Sequence, residues 1–383
     1  MNPSVGSFRF SRLAVNIIFF LNGFVHANLF SRLPRIQDQF QVSNGKIGFV
    51  LLASSIGAFI AMPFTGWFII RYGSRRITLF AVFFYCILVP FVPLMTSLWL
   101  LMFVFFLMGI SAGMLDIAMN SQAVMVEQQM NKPIMTSFHA LFSIGMMLGA
   151  ASGSFFSGLD TPLATHFAII TTASLIISFF ARYYLIHDKP AIKTKNAPAF
   201  RLPNRAMVGI GIIAFCCMLG EGAMADWSTN YMENVAQSGK AMAPMGLAFF
   251  ALAMTIGRVF GDSARLRFGD RNVMVACGTI ATLGLMITLF LVSPYLVITG
   301  FFIVGLGLST IVPIAYSLAG NTKDLPPGVG LAMVTTVGYS GFLFGPPIIG
   351  FIADAFTLRM ALFLVLILFM LLTFLGSRYK VLH

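Results

Sequence analysis

Charge is what this chain has least of. Asp, Glu, Lys and Arg make up only 9% of its 383 residues, while 58% are hydrophobic; soluble domains carry about 25% charged residues. No charged side chain occurs between Arg76 and Asp116, or between Arg271 and Lys323. Each of these stretches is too long for one membrane span of roughly 20 residues and suits two. A water-soluble domain is thereby excluded. Period-two alternation is also lacking, so the runs read as helices and not as the strands of a membrane barrel. Cysteine is scarce as well. Cys86, Cys216, Cys217 and Cys277 all lie in apolar segments without metal-ligand or disulfide spacing, and read as packing residues. There is no phosphate-binding loop or zinc spacing. A nucleotide-driven pump is disfavoured, and neither an enzyme constellation nor a cofactor site is expected.

Positive charge is plentiful by comparison, with a formal net charge of +12. It does not point to nucleic acid, because the basic residues sit mostly in short turns between apolar runs. Of the 24 Lys and Arg, all but Arg32, Arg35, Lys46, Lys240, Arg258 and Arg359 fall on one side of the bilayer if the N-terminus is placed inside. That asymmetry predicts two cytoplasmic termini and an even number of spans. The basic start followed by an apolar run reads as an uncleaved first helix. Short loops and the lack of glycosylation sequons suggest a bacterial inner membrane.

The chain is organised as a duplication. Gly66 through Arg71-Tyr72-Gly73-Ser74-Arg75-Arg76 ends one apolar run and starts the next. About 196 residues on, a weaker copy runs from Gly261 through Leu266-Arg267-Phe268-Gly269-Asp270-Arg271. At that offset Gly109 falls on Gly305, Gly145 on Gly341 and Gly149 on Gly345. One six-helix unit written twice predicts an all-α integral membrane protein of twelve spans in two pseudo-symmetric bundles. The spans are expected at about 13–33, 47–70, 77–95, 98–126, 134–158, 162–186, 206–232, 242–261, 272–292, 295–318, 328–353 and 358–376. The bundles are then 1–187 and 205–383, joined by a polar, basic, Pro-containing linker at 188–204.

An ionised group at mid-membrane costs roughly 2.5–3.5 kcal/mol or more, so the few such groups are functional candidates. Asp116 and Asn120 lie one turn apart, about ten residues and so ~15 Å from the cytoplasmic end of their helix. Glu221 lies mid-helix, with Asp226 and Trp227 further out. Asn22 and His26 share a face of the first helix, and His139 lies near the depth of Asn120. Tyr339, Thr310, Pro313 and Tyr316 are candidate lining groups. His166 and His187 read as structural. Arg258 and Asp262, four apart, are expected to pair near the cytoplasmic gate. Gly66, Arg71 and Gly73 are gate or structural residues of the repeated turn.

Twelve spans, the basic linker and the Gly66…Arg71-Tyr72-Gly73-Ser74-Arg75-Arg76 signature resemble the major facilitator superfamily. The resemblance implies that family's fold and a secondary transporter. One departure stands out: Ile70 and Leu266 occupy the positions where the family usually has an acid, which puts the latch attributed to that acid in doubt. Leu33-Pro34 with Gln37 and Phe40, and Leu115-Asp116 with Ala118 and Asn120, are similar to the fucose permease branch and its sugar-permease-like bacterial relatives. That similarity implies a substrate-handling role for Asp116. The branch's proton-carrying acid in the first helix falls at Phe30 and is missing, so another carboxyl would have to carry the proton. Gly149-Ala150 replaces the Gly-Pro element typical of the drug antiporters.

The expectation is therefore proton-coupled symport of a small polar solute, a sugar or related metabolite, by a monomer embedded in the bilayer. Asn22, His26, Asp116, Asn120, His139 and Tyr339 would line the solute site, and Asp116, Glu221 and Asp226 would be the proton-carrying candidates. The alternatives are a proton-driven exporter of amphipathic compounds, using the Met and Phe content as an adaptable pocket, and a receptor or scaffold.

Overall fold

The computed structural model describes residues 5–130, 134–188, 205–320 and 327–378, all helix and turn with no strand among them. Contacts divide the chain into two compact units, Met1–Val42 with Phe49–Thr194, and Ser43–Gly48 with Lys195–His383. The first carries α1 (Val5–Phe30), α2 (Leu33–Phe40), most of α3 (Asn44–Tyr72), α4 (Ser74–Leu88), α5 (Leu98–Met130), α6 (Met135–Gly158) and α7 (Leu163–Ala181). The second carries α8 (Arg205–Asn234), α9 (Met245–Phe268), α10 (Asp270–Phe290), α11 (Pro294–Leu308), α12 (Ile311–Gly320), α13 (Pro327–Ala355) and α14 (Leu358–Arg378). Among the described residues eleven stretches are long and apolar enough to cross a membrane, and Met245–Gly261 is a shorter apolar helix. In hydrocarbon every backbone N–H and C=O must be satisfied within its own segment, which is why the apolar runs are helical almost end to end.

Three departures from the expected spans have local causes. The stretch after the first span folds into α2, an amphipathic helix with Pro34 in its first turn that buries Leu33, Pro34 and Ile36. Proline fits the first turn of a helix because its missing N–H would be unpaired there anyway. The third span tightens into a 3-10 turn at Val89–Leu94, where Pro90 and Pro93 interrupt the ladder. The tenth span is broken into α11 and α12 at Ser309-Thr310. Pro313 cannot donate to the carbonyl of Ser309, four residues back, and its ring crowds that oxygen.

The duplication is written into the packing. A Cβ on Gly109 of α5 would lie 1.8 Å from the Ser54 carbonyl of α3; one on Gly305 of α11 would lie 2.5 Å from the Phe250 carbonyl of α9. Ser54 and Phe250 are themselves 196 residues apart. Gly145 of α6 approaches the Phe20 carbonyl of α1, and Gly341 of α13 the Phe215 carbonyl of α8. Without a hydrophobic driving force between helices in lipid, such close backbone approach supplies the packing attraction. The two turns match as well. Gly73 and Gly269 have φ of 85° and 77°, a region open mainly to glycine, and each ends one helix and begins the next. Arg75 donates to the Arg182 carbonyl (2.7 Å) beyond α7, and Arg271 to the Ser377 carbonyl (2.6 Å) in the last turn of α14. Gly66, by contrast, sits within α3 with nothing within 4 Å of where a Cβ would be. Turning and close approach are the work of Gly73 and Gly109, not of Gly66.

Candidate functional site

In the first unit the predicted residues gather along one stretch of α1. The α1–α6 crossing at Gly23, Gly145 and Gly149 brings the two backbones close enough for side chains one turn away to meet. Phe19 meets the ring of His139 edge-on at 5.3 Å. One turn on, buried Asn22 donates to the Met119 sulfur of α5 at 3.7 Å. One turn further, His26 stacks on Phe30 at 4.2 Å. Met119 adjoins Asn120, whose amide donates to both the Asp116 carbonyl (2.8 Å) and its carboxylate (3.3 Å). Asp116 and Asn120 are half-buried. A carboxylate in reach of an amide is the kind of group that recognises a hydroxyl-bearing or cationic solute.

The second unit holds an ion pair that local sequence spacing did not reveal. Arg258 of α9 donates to Glu221 of α8 at 3.2 Å, both half-buried within the spans. The sequence pairs Arg258 with Asp262; the side chain of Asp262 lies outside the described residues. One turn before Glu221, the Cys217 thiol donates to the Leu308 carbonyl (3.6 Å), the last residue before the broken span. α9 approaches that break tightly: a Cβ on Gly257 would meet Ser309 Oγ at 2.1 Å, and one on Gly261 would meet the Thr310 methyl at 2.2 Å. Cys277 of α10 closes the cluster at 3.2 Å from Thr310 Oγ1. A non-helical backbone step at membrane depth is tolerated where it lines a polar cavity or is covered by protein. Carboxylate, guanidinium and open helix are therefore neighbours. Pro313, which the sequence marks only as a lining residue, could have signalled the break, but only tertiary packing sets it beside Glu221.

Asp226 is half-buried, and among the described residues no cation or hydrogen-bond donor pairs with it in this structure. It precedes a buried run, Trp227 to Asn230, in which the Trp227 indole N–H, Ser228 and Thr229 have no hydrogen-bond partner among the described residues. Tyr339 packs edge-on against Phe342 at 6.0 Å on α13. Tyr316 reaches the Met218 sulfur at 3.8 Å. His166 bonds the buried Asn28 side chain at 2.9 Å. Nearby Arg32 donates to the Thr161 carbonyl at 2.7 Å, and burial lowers its pKa to about 10.

The repeated turn of the first unit is held by an acid that local spacing did not single out. Asp188, at the far end of the unit, accepts the backbone N–H of Ser74 and that of Arg75 (3.2 Å) and so caps α4. Gln122 ties the same corner, donating to Ser74 Oγ (2.7 Å) and the Ile186 carbonyl (3.0 Å) while accepting the Ile186 N–H (2.9 Å). Arg75 also contacts His187. Arg71 lies over Trp67 and Tyr72 at 5.3 and 5.4 Å from the ring centres. With Ile70 in place of an acid, the carboxylate at this turn comes from Asp188. Asp188→Ala is expected to remove about 0.5–2 kcal/mol of capping, read as a lower melting temperature of the detergent-solubilised protein. Asp188→Asn, which keeps one acceptor, should fall between the two.

The chain's residues 15–323 match the family model described as Major Facilitator Superfamily. An uncharacterised MFS-type transporter of Yersinia pestis is 31% identical over 350 residues, covering 91% of each chain. The glucose/mannose transporter GlcP of Bacillus subtilis is 21% identical over 79% of this chain and 77% of its own. Among solved structures, a mutant of the nucleoside transporter NupG superposes with a TM-score of 0.80 at 13% identity, covering 96% of this chain and 99% of that one. Repeated six-helix packing, two glycine turns and charged groups held within the spans agree with the family match: the chain belongs to the Major Facilitator Superfamily and is a multi-pass membrane transporter.

Proposed function

We propose that this transporter is a proton-coupled symporter of a small polar solute, sugar-like in its hydroxyl chemistry. The Glu221–Arg258 pair beside the broken span carries the reading. A proton on Glu221 cancels its attraction for Arg258. The pair is thus a two-position element that protonation biases. Asp116 with Asn120 binds the solute, with Asn22, His26 and His139 as further contacts, and Asp226 is the second proton-carrying candidate. The relative named for glucose/mannose transport and the structural neighbour named for nucleoside transport support a polar solute. The same reading places both termini in the cytoplasm of a bacterial cell and the functional protein as a monomer.

Proteoliposomes carrying an internal pH dye test this directly. A sugar or related polyol should acidify the lumen in wild-type vesicles. Asp116→Asn should raise the half-saturating solute concentration about tenfold or more, a loss of about 1.4 kcal/mol of binding. Lumenal alkalinisation on adding cationic amphiphiles, with no response to any polar solute, would replace symport by export. Unchanged half-saturation in Asp116→Asn would remove that residue from the solute site.

A further inference from the structure

A groove of about 330 Å³ runs along the outside of the second unit between α10 and α14. Thr279, Thr282 and Leu283 form one wall, and Met370, Thr373, Phe374 and Ser377 the other. Four of these seven residues carry a hydroxyl, which at first suggests a polar ligand. Their hydrogen bonds say otherwise. Thr279 donates to the Val275 carbonyl and Thr282 to the Gly278 carbonyl, each at 2.8 Å. Thr373 donates to the Phe369 carbonyl at 2.8 Å, and Ser377 to the Phe374 carbonyl at 2.7 Å. Every hydroxyl proton is spent on the helix's own backbone, so the walls offer methyl, thioether and aromatic surface and no free donor.

The groove has one charged end. Met370, Thr373 and Ser377 lie on one stripe of α14 that spans roughly 10 Å at 1.5 Å per residue. It runs to the bundle end where Arg271 donates twice to the Ser377 carbonyl. Arg378 lies exposed at the same end, its guanidinium 5.2 Å from the centre of the Phe374 ring. Among the described residues no acidic side chain lines the groove, and the nearby Asp270 is already paired with Arg265 at 2.8 Å. Basic side chains at a span end attract anionic headgroups, and apolar grooves between spans accept acyl chains.

We propose that this groove binds one anionic phospholipid. One acyl chain lies along the Thr279–Thr282 and Met370–Phe374 walls, and the phosphate sits at Arg378 and Arg271. A free phosphate is not the ligand, because the walls would then be unused.

The test is titration of the full-length, detergent-purified protein with palmitoyl-oleoyl phosphatidylglycerol, read by native mass spectrometry. Palmitoyl-oleoyl phosphatidylcholine and short-chain dihexanoyl phosphatidylglycerol serve as the headgroup and tail controls. One site should bind the long-chain anionic lipid at least about fivefold more tightly than either control. Arg378→Gln removes the charge at an exposed position. Thr279→Phe fills the groove from an exposed wall, leaving the core untouched. Each should weaken that site about fivefold or more at an unchanged lipid-free melting temperature. Equal affinity for the anionic and zwitterionic lipids, or wild-type binding in both variants, overturns the proposal. Should one variant fold poorly, the other still decides.

Discussion

Glu221→Gln is expected to abolish accumulation of solute against a gradient while sparing exchange. The amide fits the same space and can still accept from Arg258, now at 3.2 Å from the carboxylate, but it can neither carry a charge nor release a proton. Concentrative uptake should fall about a hundredfold, close to 2.7 kcal/mol. Counterflow of labelled against unlabelled solute should stay within about threefold of wild type, because exchange requires no net proton movement. Arg258→Gln leaves a half-buried carboxylate without its cation. Removing one partner of a buried pair destabilises by about 3–5 kcal/mol; at this partial burial the melting temperature should fall by a smaller but measurable amount. The double variant Glu221→Gln/Arg258→Gln should recover most of that loss, since neither charge then remains. Undiminished concentrative uptake by Glu221→Gln would remove Glu221 from proton coupling and move the role to Asp226 or Asp116.

Gly109→Val is the substitution expected to damage the fold most. Its first added carbon would lie 1.8 Å from the Ser54 carbonyl oxygen and 2.6 Å from the Ser54 carbonyl carbon. Those atoms belong to the α3 backbone, so no side-chain rotamer change makes room. The two helices must separate, and Gly57, which approaches the Phe106 carbonyl from the other side of the same crossing, loses its contact too. Ordinary overpacking costs about 1–3 kcal/mol; this one should exceed that range and remove the monodisperse peak in size-exclusion chromatography. Gly305→Val should do the same at the equivalent crossing of α9 and α11. Gly66→Ala is the control: with open space around the added methyl, it should melt at the wild-type temperature or slightly higher, because alanine is the better helix former. A monodisperse, normally melting Gly109→Val would mean that the α3–α5 crossing is looser than its backbone positions indicate.

What the sequence determined by itself is the part of the fold set by one-dimensional rules. Hydrocarbon thickness, the demand for internal backbone hydrogen bonding and the placement of basic residues act on runs of residues, so the spans could be read from local composition. The 196-residue offset could be read too, since a duplicated bundle must repeat its close-packing glycines at the same depths. Gly109 with Gly305 and Gly145 with Gly341 are such repeats. The Asp116–Asn120 contact was legible because one helical turn brings i and i+4 together whatever surrounds them.

Tertiary structure decided which side chains from different helices share an environment. Arg258 reaches from α9 to Glu221, 37 residues earlier in the chain, a contact that no helical spacing specifies. Asp188 supplies the carboxylate that the local sequence of the Gly73 turn lacks, from 114 residues away. The sequence marks Pro313 only as a lining residue; that the span breaks there, against Gly257 and Gly261 of α9 and next to the Glu221 helix, follows from how the spans pack. Helical periodicity specifies which face a residue occupies and how deep it lies; which helix stands opposite that face is set by backbone close approach at glycines far from it in sequence.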